Sequence, residues 1–196
     1  MSSGLRGRLT GAVLAVAVLV GPPAGAQPID GLTPVEPQPT AAQLEPGLAV
    51  QYTYGIMNHI EELKGRRFES GPPLPVLDHK AGEGTVLTSK ARDAVGAVIT
   101  GLIHFDRPGI WGFNVTSNDG VRVEIGGKLL YEDPFVHSDD TSDRIDVKIE
   151  RPGWHAVTVH YFEKRYTSTL VLRWVGPGEK GKPAPVPAKA FGHIKK

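Results

Sequence analysis

An all-β chain, folded as an antiparallel β-sandwich or barrel with at most one short helix, is what this sequence predicts. Three observations carry that reading. Apolar and polar residues alternate with period two in short runs such as Val121–Ile125 (V-R-V-E-I) and Ile145–Ile149 (I-D-V-K-I), the mark of strands that bury one face. The chain holds 24 Gly and 17 Pro in 196 residues, and they punctuate the runs about every eight to twelve residues, as in sandwiches and barrels. Helical periodicity is confined to Asn58–Gly65 (N-H-I-E-E-L-K-G), where Asn58 can cap, Glu61 completes a capping box and Gly65 ends the turn.

The elements follow in order. Residues 1–26 read as a signal peptide. Arg6 and Arg8 form a basic start, Gly11–Val20 is an apolar run too short to span a bilayer comfortably, and Ala24-Gly25-Ala26 supplies the small residues of a cleavage site. Gln27–Pro46, with five Pro and no apolar period, reads as an extended, solvated linker. Leu48, Val50, Tyr52 and Tyr54 then alternate with small or polar residues as the first strand. Ser70–Pro75 (S-G-P-P-L-P) reads as a loop, and Val76–Asp78 and Thr85–Ser89 as short strands. Ala94–Phe105 is nearly all apolar, which predicts a strand buried on both faces.

Asp106–Gly109 forms a Pro-Gly corner, and the strand Ile110–Thr116 follows. Gly126-Gly127 is a two-residue hairpin loop between Val121–Ile125 and Lys128–Tyr131. Glu132–Arg144 is a polar loop rich in Asp. Strands at Ile145–Ile149, Trp154–Phe162 and Thr169–Val175 complete the set, and Gly176–Lys196 reads as a Pro- and Lys-rich tail, with residues 192–196 disordered. The domain proper is expected over residues 47–191.

Composition excludes several function classes. The chain has no Cys, so disulfides, thiolate metal sites, Cys nucleophiles and lipid attachment at Cys are ruled out. Cleavage after residue 26 takes two Arg and no acid from a balance of 22 basic and 21 acidic residues. The nearly neutral remainder lacks the clustered basic surface that nucleic acid requires, and no integral membrane insertion is expected after cleavage. The sequence holds no H-E-x-x-H, G-x-S-x-G or phosphate loop, and paired acids such as Glu61-Glu62 and Asp139-Asp140 read as solvated charge. A non-enzymatic protein is expected.

The stretch Ser117-Asn118-Asp119-Gly120 places an amide and a carboxylate side by side on a Gly-ended corner between two strands. Such a corner can present oxygen ligands to a hard cation. It also has the composition of an ordinary tight turn, and both readings stand at this point. Asp139, Asp140 and Asp143 restore negative charge if their loop folds over the corner. Tyr131, Phe135 and Tyr166 lie near loops, where a ring can stack on a sugar and bond at its edge. Trp111, Trp154 and Trp174 lie on apolar strands and read as core.

From Asp93 onward the order of motifs resembles one family. P-G-I-W-G-F leads into S-N-D-G-V-R-V-E-I-G-G-K-L; then come R-P-G-W-H-A-V-T-V-H-Y-F-E, L-V-L-R-W-V-G-P-G and a closing P-V-P-A-K-A-F. This is similar to the adhesin domain named after a fragment of anthrax protective antigen, over roughly residues 47–191. The resemblance implies a β-sandwich and, in carbohydrate-binding members, calcium held by two neighbouring acids joined by a cis peptide. Here that pair is Asn118 and Asp119, so an amide stands where the first acid is expected. The implied function is an exported glycan-binding module, periplasmic or extracellular, with calcium as its cofactor. The competing expectation is a structural or protein-interaction module of the cell envelope without metal or sugar.

Overall fold

The structure, a computed structural model, describes Met1, residues 27–82 and residues 84–195. The expected signal peptide therefore lies, apart from Met1, outside the described residues. The strands are β1 (Leu44–Pro46), β2 (Leu48–Tyr54), β3 (Glu69–Leu74), β4 (Asp78–Ala81), β5 (Val95–Phe105), β6 (Gly109–Asn118) and β7 (Val121–Ile125), followed by β8 (Lys128–Asp133), β9 (Asp140–Thr141), β10 (Ile145–Ile149), β11 (Gly153–Glu163), β12 (Ser168–Val175), β13 (Ala184–Pro185) and β14 (Phe191–Ile194). Helical structure among the described residues is limited to 3₁₀ turns at Ala41–Gln43, Ile60–Leu63 and Ala188–Ala190. In the second of these the expected capping box is replaced. His59 caps the turn by accepting from the Glu61 N–H, and Glu62 accepts from the Asn58 N–H.

Two antiparallel sheets face each other. The first runs β1-β14-β5-β11-β7-β8, with β2 beside β5 and β3 on β2; the second runs β10-β6-β12-β13, with β4 on β12 and β9 on β6. The all-β sandwich expected from period-two alternation is the observed fold. Val121–Ile125 shows why: Val121, Val123 and Ile125 are buried, while Arg122 and Glu124 face outward. A one-residue slip would exchange the two sets, so burial sets the register. Gly126 and Gly127 both take positive φ, 57° and 78°, as a primed hairpin turn needs. Between the sheets Phe105, Phe113, Val115, Ile125, Val159, Tyr161 and Leu172 form part of one continuous core, each large side chain stabilising the fold by roughly 1.5–3 kcal/mol. Trp111 and Trp174 join it with rings 4.6 Å apart. Trp154 departs from expectation: it lies against His104 on the outer face of the first sheet.

Four sequence readings are corrected. Residues 27–46 are not a solvated linker: Leu32 is buried, Thr33 N–H donates to Gly126 O, Val35 N–H to Trp154 O, and β1 pairs with β14. Proline removes its own donor but leaves neighbouring N–H and C=O groups able to edge a sheet. The C-terminal segment is likewise ordered, with Val186, Ala190 and Phe191 buried and residues 192–194 in β14. Ser70–Pro75 belongs largely to β3, an edge strand whose one partner, β2, tolerates Pro72 and Pro73. Thr85–Ser89 forms no strand, although Val86 and Leu87 are buried.

Candidate functional site

The polar face that reaches the Ser117–Gly120 corner begins with alternation in β6. Trp111, Phe113 and Val115 point into the core, so Asn114, Thr116 and Asn118 point out of the second sheet. Cross-strand register extends the row: Asn118 lies opposite Thr169, and Thr169 opposite Lys80; Thr116 lies opposite Thr141, and Asn114 opposite Arg173. The chain then leaves this sheet through the Asn118–Asp119 peptide, which is cis, and enters the other sheet as β7. Gly120 sits where an added Cβ would collide with the Phe162 ring.

The corner is closed by hydrogen bonds. Asp119 is 3% exposed. Its Oδ1 accepts from the His137 N–H at 3.1 Å and its Oδ2 from the Lys164 N–H at 2.7 Å. Burial pushes the Asp119 carboxyl up, and those two N–H donors hold it back in part. Asn118 Nδ2 donates to Thr167 Oγ1 at 2.8 Å and to Asp139 Oδ1 at 3.2 Å. The Tyr161 hydroxyl, fully buried, donates to the Asn118 carbonyl at 2.6 Å. Tyr161→Phe removes that buried donor, so a loss of about 0.5–1.5 kcal/mol in urea unfolding is expected.

Asp139 is the residue that brings its loop onto the corner. It accepts from the Thr169 hydroxyl at 2.8 Å and pairs with Lys80 Nζ at 2.8 Å. Partial burial raises its carboxyl, but the hydrogen bonds from Lys80, Thr169 and Asn118 outweigh this and hold it below the usual range. Of the candidate residues, then, Asn118, Asp119 and Asp139 are brought together. Asp140 sits opposite Ser117 in β9, exposed, with its Oδ1 on the Thr141 N–H. Asp143 is exposed. Tyr131 is half-buried in β8 against the core; burial, then the charges of Asp133, Asp140 and Asp143, push its hydroxyl up. Phe135 is 61% exposed and meets His59 edge-on at 4.8 Å.

As arranged, the polar groups of the corner are engaged within the fold. Both Asp119 oxygens serve main-chain N–H groups, Asn118 turns its amide nitrogen toward Asp139, and the Asp139 charge is matched by Lys80. Calcium takes six to eight oxygens and depends on their negative charge. Among the described residues no three His, Asp or Glu side chains converge as a metal group.

A groove of about 630 Å³ opens beside the corner, lined by Lys80, Asn114, Thr116, Asp139, Thr141 and Arg173, with Lys182 and Pro183 at one side. Sequence reading missed this face. The spacing of Asn114, Thr116 and Asn118 at every second position was the available signal; the contributions of Lys80, Arg173 and Lys182 come from distant strands and loops and had none. It also missed Glu163, at the inner end of β11. Glu163 is 0% exposed and both its carboxyl oxygens lack a hydrogen-bond partner. Burial, then the charges of Asp93 and Asp119, push its pKa up to about 8.

Comparison with known proteins agrees with this fold. The family model described as the PA14 domain matches residues 77–186. No curated protein gives a match. Among solved structures, an anti-sigma factor domain-containing protein from Clostridium clariflavum is similar at 21% identity and TM-score 0.60, over 87% of this chain and 50% of that one. The chain spans about half the length of the anti-sigma factor domain-containing proteins it matches. The PA14 sugar-binding domain of an RTX adhesin is similar at 15% identity and TM-score 0.58, over 76% of this chain and 98% of that one. The epithelial adhesin 6 A domain of Candida glabrata, solved with Galβ1-3GlcNAc, is similar at 10% identity and TM-score 0.64, over 84% and 94%. At these identities the structural likeness is one of fold.

Proposed function

The chain belongs to the PA14 domain family, and from that premise we propose that it is a non-enzymatic carbohydrate-binding module, whose saccharide lies on the polar face between the Asn118–Asp119 corner and Arg173. The observation that carries this reading is the groove itself. It is lined by the polar side chains of Asn114, Thr116 and Thr141, with the ion pair Lys80–Asp139 beside them, a surface suited to saccharide hydroxyls. Two structural neighbours support it, one a sugar-binding domain and one solved in complex with a disaccharide.

In this reading binding needs no calcium, because Lys80 supplies the positive charge next to Asp139 and Asp119 serves the fold. The protein acts after export, in the periplasm or outside the cell, on a glycan of the envelope or its surroundings. The basic, apolar and small-residue order of residues 1–26 supports export. Among the described residues no helix is long and apolar enough to cross a membrane.

An amide NMR titration of the domain with a panel of soluble glycans tests the proposal. Shifts are expected to concentrate at residues 114–118, 137–143 and 167–173, and to persist with chelator present. Shifts centred elsewhere, or no response to any glycan, would refute the site; loss on chelation would restore calcium to it.

A further inference from the structure

We propose that the groove selects a saccharide chain bearing carboxylate or sulfate groups, with Arg173 as the anchoring cation and Lys182 as a second contact. This rests on the carbohydrate-binding reading and goes on to its ligand class. Three cationic side chains, Lys80, Arg173 and Lys182, line the groove against one carboxylate, Asp139. Lys80 and Asp139 neutralise each other at 2.8 Å. That leaves the Arg173 guanidinium and the Lys182 ammonium, neither of which meets an acidic side chain within ion-pair distance among the described residues. The excess charge on this face is therefore positive, although the chain as a whole is close to neutral.

Arg173 is also held in place. It projects from the middle of the second sheet, opposite Asn114 on β6, and its Nη1 donates to Thr116 Oγ1 at 2.9 Å. A guanidinium carries five N–H donors in a planar fork, so most of its donors remain for a ligand. A fork fixed at one prong is suited to two-point bonding of a carboxylate or sulfate. Among the described residues no aromatic ring lines the groove, so the stacking that holds many neutral sugars is missing there. Charge-assisted bonds to an anionic substituent, with Asn114, Thr116 and Thr141 meeting the hydroxyls, supply the recognition instead.

Calorimetric titration of the protein tests this with matched pairs: oligogalacturonate against its methyl ester, and dextran sulfate against dextran, with inorganic sulfate as the free anion. At least one charged polymer is expected to bind about tenfold or more tightly than its neutral counterpart, and which one does so separates a carboxylate from a sulfate ligand. Arg173→Gln is expected to abolish most of that preference and Lys182→Gln part of it. Lys182 lies on an exposed loop, so its variant keeps the test open if Arg173→Gln fails to fold. Equal binding of charged and neutral members, or an unchanged preference in both variants, would overturn the inference while leaving the carbohydrate-binding reading in place. Inorganic sulfate binding as tightly as the polymers would overturn it in favour of a free-anion site. Failure of every saccharide would overturn both readings together.

Discussion

Replacing Glu163 by Gln is expected to stabilise the protein by about 3–5 kcal/mol at pH 8 and to leave its stability nearly unchanged at pH 4. The Glu163 carboxyl is inside the sandwich, 0% exposed, with neither oxygen bonded. The Ala94 N–H acts to lower its pKa, but that donor is already given to the Lys164 carbonyl at 3.1 Å. Ionising a carboxyl there is opposed by burial first, and then by the negative charges of Asp93 and Asp119; together they push the folded-state pKa from an ordinary value of 4.5 to about 8.

The direction of the pH effect follows. Between pH 4.5 and 8 the unfolded chain has lost this proton and the folded chain keeps it. The folded state then binds more protons, so stability falls as pH rises through that window, at up to about 1.4 kcal/mol per unit. Above pH 8 both states are ionised and the loss stops growing. Glutamine has the same shape and no charge to impose. Urea unfolding at a series of pH values from 4 to 9 reads this directly: the parent protein should lose stability across the window and Glu163→Gln should not. Superimposable pH profiles would refute the account. The proximity of Glu163 to Asp119 also means that it loads the inner side of the corner whose outer side carries the groove.

Asp119→Ala should have the largest destabilising effect of any change at the corner, about 2–5 kcal/mol, equivalent to roughly 5–15 °C in Tm for a domain of this size. Two main-chain N–H groups, those of His137 and Lys164, depend on its oxygens at 3.1 and 2.7 Å. Both flank the loops that border the corner, and Asp119 is buried, so water cannot readily replace it. Asp119→Asn offers a graded control. Its amide keeps one acceptor oxygen and puts a donor against the other N–H, so its cost should fall between that of the parent and that of Ala. Thermal melts of the three proteins would rank them. A fully stable Asp119→Ala would mean that this carboxylate serves something other than the fold, and would bring a ligand role for it back into consideration.

These two carboxylates show what one-dimensional reading can and cannot see at a site. Asp119 was legible as a candidate because it stands in a Gly-ended polar turn of a kind that the resemblance marks. Its use of both oxygens for main-chain N–H groups was not legible, because the partners lie 18 and 45 residues away. Glu163 stands just past the run Trp154–Phe162 that reads as a strand. Its burial depends on β11 running one residue pair further along β5, to Glu163 opposite Val95, which alternation alone does not determine at a strand end.

The sequence by itself determined the sandwich, because period-two burial and Gly-Pro punctuation are local properties that only antiparallel sheets satisfy at this spacing. It also determined the exclusion of thiol chemistry and the position of the corner. Tertiary structure alone decided the rest. The proline-rich N-terminal segment and the C-terminal segment, polar in composition, became sheet strands because a neighbouring strand offered unpaired backbone groups, and backbone hydrogen bonding does not depend on side-chain polarity. The groove was assembled from β4, β6, β9, β12 and two loops, whose side chains meet only through cross-strand register. The charge of the corner was settled by Lys80, a residue 38 positions before Asn118 in the chain, because β4 lies next to β12 and places that ammonium against Asp139.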